Sequence, residues 1–149
     1  MTRHRQCLSL LDDSKDNTSP MGKLFLLLSA VSGFLGVSIG AFGAHGLESV
    51  LDPELMGTYQ TGVEYQLFHT AALLGIGILS LQYPKAKALQ LSGLMMVVGI
   101  VVFSGSLYLL ALSGVSWLGA ITPIGGVAFL AAWAALFRFA WKLTSEAKI

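Results

Sequence analysis

Charge is scarce in this chain. Nine Lys and Arg against eight Asp and Glu are all the formal charge among 149 residues, and 54% of positions are apolar. That leaves too little polar surface to coat a water-soluble globule of this size. Cysteine is represented by Cys7 alone, which excludes an intrachain disulfide and a cysteine metal centre within one subunit. Four stretches hold no Lys, Arg, Asp or Glu: Leu24 to Ala44, Tyr65 to Tyr83, Ala88 to Leu112 and Trp117 to Phe137. Each is close to the ~20 residues that cross a ~30 Å hydrocarbon layer as a helix. With no charge inside them, they lack the usual marks of an ion path or an intramembrane catalytic centre.

The charge that is present is unevenly distributed. Arg3, Arg5, Lys15 and Lys23 precede the first stretch, Lys85 and Lys87 lie between the second and third, and Arg138, Lys142 and Lys148 follow the fourth. The region from His45 to Glu64 carries Glu48, Asp52, Glu54 and Glu64 with no Lys or Arg, and Ser113 to Ser116 is uncharged. By the positive-inside rule this predicts an all-α membrane protein, a four-transmembrane-helix bundle with N-terminus and C-terminus cytoplasmic and the acidic loop outside. The basic residues orient helices; without an aromatic-interleaved basic face they predict no nucleic-acid partner.

The expected organisation is a polar, disordered tail over residues 1–22, a single transmembrane domain over 23–141, and a cytoplasmic tail over 142–149. Met21-Gly22-Lys23 ahead of Leu24-Phe25-Leu26 has the form of a membrane-protein start, so Met21 is the expected initiator. The first apolar stretch exceeds a signal-peptide core of 7–15 residues and is read as an uncleaved anchor.

Within it Gly33, Gly36, Gly40 and Gly43 draw a seam along one helix face. Such a seam lets a second helix approach closely, within the chain or, as a second choice, across a dimer. Asp52-Pro53-Glu54 reads as a helix start, with Asp52 as N-cap and Pro53 at the first position. The helix it opens is expected to reach Tyr83, with possible bends at Gly57 and Gly62. Its first part is expected on the outer surface, with Leu55, Met56, Tyr59 and Val63 toward lipid. The short turns at Pro84-Lys85 and Ser113-Gly114 predict antiparallel hairpins. Pro123 either kinks the fourth helix or begins it; in the second case Thr122 is the N-cap and Trp117 to Ile121 enters as a non-helical segment. Trp117, Trp133 and Trp141 suit interfacial anchoring, with Trp133 deepest.

Counting along this topology brings polar groups of four helices to one outer level: His45, His69, Tyr108 and Thr122, with Glu48, Glu64, Tyr65, Gln66, Ser104 and Ser106 in reach. Two imidazoles and one or two carboxylates could hold a metal, a proton or a polar headgroup. The plainer reading is a hydrogen-bonded cap, because polar groups in lipid must find partners whether or not a ligand exists. The cap is preferred: no HExxH-type spacing supports a metal, no cofactor is called for, and no nucleophile motif singles out a serine.

The run Gly40-Ala41-Phe42-Gly43-Ala44-His45-Gly46-Leu47 closely resembles the signature of the small multi-pass membrane family catalogued as domain of unknown function 423, similar to transmembrane protein 256 of animals. Tyr65-Gln66 with His69-Thr70-Ala71, and Phe103-Ser104-Gly105-Ser106-Leu107-Tyr108 followed by Thr122-Pro123-Ile124-Gly125-Gly126, extend the resemblance over nearly all of Lys23 to Trp141. It implies a membrane location and a compact helical fold, and brings no established activity, substrate or catalytic residue. Three functions fit these features. First comes a non-enzymatic structural or accessory subunit in contact with membrane lipid and a membrane-protein partner or further copies of itself. Next is a small-solute or proton transporter acting as an oligomer, although the first helix lacks the embedded carboxylate of small multidrug transporters. Last is a metal- or lipid-binding protein using His45, Glu64 and His69.

Overall fold

The computed structural model describes residues 19–146. The expected tail, up to residue 18, and residues 147–149 lie outside that range. Four long helices account for most of the described chain. α1 is Pro20–Phe42, continued by a π turn at Gly43–Leu47. α2 is Pro53–Gln82. α3 runs Lys87–Ser113 with a π turn at Ile100–Ser104 inside it, and α4 is Thr122–Glu146, entered through a 3-10 turn at Ser116–Ala120.

Local chemistry sets these limits. Ser19 Oγ accepts from the Gly22 amide at 3.2 Å and Pro20 opens the helix, so residues 20–22, expected in the tail, are helical. Asp52 accepts from the amides of Glu54 and Leu55 at 3.0 and 2.9 Å ahead of Pro53. Its carboxylate satisfies two donors that the first turn of α2 leaves free. α2 then runs through Gly57 and Gly62 without interruption. α3 ends at Gly114, whose φ of 68° is the left-handed cap that glycine adopts without strain. α4 begins at Thr122, which is its first helical residue and not its N-cap, with Pro123 at a position where its missing N–H costs nothing; the entry expected to be non-helical and buried is a 3-10 turn over Ser116–Ala120 with no buried residue.

Among the described residues, three helical stretches are long and apolar enough to cross a membrane: Pro20–Leu47, Lys87–Ser113 and Ser116–Ser145. α2, though 30 residues long, is not among them. Gln66, His69, Thr70 and Ser80 lower its apolarity, and all four are buried. It is packed along α1 on one side and along α3 on the other. These polar groups lie on the face that meets protein, while Phe68, Leu74 and Ile78 are exposed on the other; Gln66, His69 and Thr70 find partners, and the Ser80 hydroxyl has none among the described residues.

The α1–α2 pair is antiparallel over its whole length. Gly22 lies against Leu81, Gly33 against Thr70, Gly36 against Leu67, Gly40 against Val63 and Gly43 against Tyr59. The four seam glycines thus face α2 of the same chain. α3 and α4 interlock reciprocally: the Phe129 ring covers Gly99, and Phe103 covers Gly125 so closely that its backbone touches the glycine. Ser92 Oγ adds a hydrogen bond to the Ala132 carbonyl, 2.8 Å away.

Phe25, Leu73, Ile76, Met96, Ile100, Phe129 and Ala132 form the main core, to which all four helices contribute. A smaller cluster of Leu47, Tyr59 and Ala111 gathers Met56 and Val63 at the end holding the α1–α2 loop. The expectation that Tyr59 and its neighbours face lipid is therefore corrected. Tyr59 is 3% exposed, and its hydroxyl donates to the Ile39 carbonyl at 2.8 Å. The first turns of α2 pack back onto α1 because Gly43 leaves room for that ring. On the outside, Phe34, Val101 and Leu130 leave apolar helix faces uncovered.

Candidate functional site

The polar groups expected at one level divide into three sets. The first joins α1, α2 and α3. Gln66, 5% exposed, donates through Nε2 to the Ser32 carbonyl at 2.9 Å and accepts at Oε1 from the Tyr108 hydroxyl at 2.8 Å. One turn further on α2, Thr70 Oγ1 and Ser32 Oγ share a hydrogen bond of 2.6 Å. Tyr108 lies over Gly62, with its ring centroid 5.2 Å from that of Tyr59. One side-chain amide therefore links three helices using both of its ends.

The second set joins α3 to the entry of α4. Ser106 Oγ donates to the Phe103 carbonyl at 2.9 Å and takes the Thr122 hydroxyl at 2.8 Å. The hydrogen bond that Thr122 makes runs across to α3, so the residue expected to cap α4 fastens two helices instead. Ser104, at the end of the π turn, is fully enclosed, and its hydroxyl has no partner among the described residues.

The third set surrounds His69. Its Nδ1 lies 2.8 Å from the Tyr65 carbonyl, which can only accept, so Nδ1 carries a proton; when the ring is neutral, Nε2 is then its acceptor. The Phe129 ring stacks on it at a centroid distance of 3.5 Å and 14° between planes. Phe68 and Trp133 meet it edge-on at 5.1 and 6.3 Å. These residues, with Glu64, Tyr65 and Phe103, line a cleft of about 750 Å³ between α2 and α4. His69 is 5% exposed, and no described residue bonds Nε2, yet the atom is not among those fully enclosed without a partner. Its remaining access is to the cleft.

His45 and Glu48 join none of these sets and lie exposed, as does Glu64 on the rim of the cleft. His45 lies beyond the Gly43–Tyr59 contact, whereas His69 neighbours Thr70, which faces Gly33. Those two contacts are ten residues apart on α1, about 15 Å along a helix. The two histidines thus sit at different depths, and the single level expected for four helices is corrected. Counting from the ends of spans failed because α1 extends to Leu47 and α2 starts well outside its apolar stretch. Among the described residues, no three His, Cys, Asp or Glu side chains come together where they could hold a metal ion.

Sequence reasoning missed the walls of the cleft. Phe129 and Trp133 stand four residues apart on α4, opposite Tyr65 and His69 at the same spacing on α2. That i, i+4 match was visible, but nothing in the sequence paired the two faces.

Residues 39–126 match the family model described as protein of unknown function (DUF423). The chain is similar to the UPF0382 membrane protein YwdK of Bacillus subtilis, 42% identical over 111 residues, covering 74% of this chain and 90% of the relative. It is 44% identical over 121 residues to the UPF0382 inner membrane protein YgdD of Escherichia coli K12, covering 81% and 92%. A UPF0382 membrane protein of Staphylococcus epidermidis is 45% identical over 114 residues, covering 76% and 92%. No solved structure matches the chain. With most of its length shared with these membrane proteins, the chain belongs to the DUF423 family.

Proposed function

We propose that this protein crosses a cell membrane four times, with both termini cytoplasmic, and serves as a non-enzymatic structural or accessory subunit for another membrane protein. The observation that carries this reading is the fate of the polar groups between α1, α2 and α3. Gln66, Tyr108, Ser32, Thr70 and Tyr59 satisfy one another or a neighbouring backbone and leave no converging set free for a substrate. Partners of this kind fix helix positions, which suits a subunit that presents a rigid surface. The charge distribution supports the four crossings, since a packed α2 need not be strongly apolar to span.

A second reading, a ligand-binding protein, is favoured by one feature only: the free Nε2 of His69 in the aromatic cleft. Native mass spectrometry of the protein extracted in lipid nanodiscs from its own membrane separates the two. The structural reading expects a protein partner at fixed stoichiometry, retained by a folded His69→Ala variant. A stoichiometric small molecule on the wild-type protein, missing from His69→Ala, with no protein partner present, would contradict it.

A further inference from the structure

We infer that the groove between the start of α3 and the last turns of α4 is a binding site for an anionic phospholipid. The groove, about 820 Å³, is lined by Lys85, Lys87, Arg138 and Lys142 but by no Asp or Glu. The four cations come from two distant stretches, the turn after α2 and the end of α4. Arg138 and Lys142 share a helix face at i, i+4. All four side chains are exposed, and the groove supplies no opposite charge to pair with them. An anion seated among them supplies that pairing. The N-cap residue of α3, Ala86, gives its helix no side-chain cap, so the backbone there adds to the positive potential.

The rest of the lining decides what kind of anion fits. Below the cations the groove continues over Leu91, Ala131 and Ala134. Ala131 lies seven residues from Arg138, about 10 Å along the helix. The alanines are small, so α4 leaves a shallow apolar channel leading away from the charges. A free phosphate or nucleotide would use the cations and leave that channel empty. A phospholipid uses both, with its phosphate at the bases and an acyl chain along the alanines. Basic pockets between helices at a membrane surface commonly hold anionic headgroups in this way. Arg138 is suited to gripping phosphate oxygens with two parallel bonds.

The test reconstitutes the whole protein in nanodiscs of equal dioleoyl phosphatidylglycerol and phosphatidylcholine and reads the lipids retained in native mass spectra. The expected result is selective retention of phosphatidylglycerol at fixed stoichiometry. Arg138→Gln should lower that selectivity about fivefold, the equivalent of ~1 kcal/mol per surface cation. Replacing all four bases with Gln should abolish it, while Lys23→Gln, at the same end of the bundle, leaves it unchanged. Ala131→Phe with Ala134→Phe keeps every charge but fills the channel, and should also expel the lipid. Circular dichroism and thermal unfolding confirm that each variant is folded. Equal retention of both lipids overturns the proposal. So does an equal effect of Lys23→Gln and Arg138→Gln, which would indicate a diffuse field. If the double Phe variant retains phosphatidylglycerol, or millimolar inorganic phosphate displaces the lipid completely, the groove recognises phosphate alone and the lipid assignment fails.

Discussion

Replacing Gly125 with alanine is expected to lower the thermal unfolding temperature in detergent by roughly 5–10 °C. A Cβ built there would stand 2.7 Å from both Cα and Cβ of Phe103, and nearer still to its backbone nitrogen. Backbone cannot swing aside as a long side chain can, so α3 and α4 must part. Separation would also strain the Ser106–Thr122 bond and lift Phe129 from Gly99. Overpacking of this kind costs about 1–3 kcal/mol. The upper part of that range corresponds to the shift given, at about 2–4 °C per kcal/mol for a chain of this size. The adjacent Gly126→Ala is the control, because its nearest neighbours are ring atoms of Phe103 at 3.9 Å. It should be neutral or slightly stabilising, since alanine favours a helix over glycine. Equal unfolding temperatures for the two variants would contradict the α3–α4 contact.

The second large effect is expected at Gln66. Leucine at this position leaves the Tyr108 hydroxyl and the Ser32 carbonyl without the partners they now have. Interhelical hydrogen bonds in membranes average ~0.6 kcal/mol and reach ~1.7. Two are lost here, and stranding a buried group costs more than the bond itself, so Gln66→Leu should destabilise by about 2 kcal/mol. Adding Tyr108→Phe removes the stranded hydroxyl. The double variant should therefore be more stable than Gln66→Leu alone, with a coupling on the order of 1 kcal/mol in a double-mutant cycle. Strictly additive effects would mean that the two side chains do not act as one unit.

Much of the architecture was legible because lipid imposes simple rules. Uncharged stretches of span length, Asp52 before Pro53 and tight turns at Pro84 and Gly114 each carry a local cause, and the helices follow them. The seam from Gly33 to Gly43 announced a close helix approach, although only the fold identified α2 of the same chain as the helix it meets. What failed was placement across helices. Tyr59 reads as lipid-facing until Gly43 opens a slot for its ring. His45 and His69 read as neighbours until the π turn and the long start of α2 set them at different depths. The aromatic cleft and the basic groove depend on which face of α4 meets α2 and which meets α3. The pattern of α4 does not record that, because its stretch from Pro123 to Phe137 is apolar all round.

Whether α2 crosses the membrane decides the four-crossing bundle, since it is the long helix whose own apolarity is weakest. Single cysteines at Ser49, Lys85 and Val115, each placed in a Cys7→Ser background, can be labelled with a membrane-impermeant maleimide in sealed right-side-out vesicles. The expected result is labelling from outside at positions 49 and 115, with position 85 reacting only after the membrane is opened. Labelling of 49 and 85 from the same side would mean that α2 does not span, and the four-crossing bundle would be wrong.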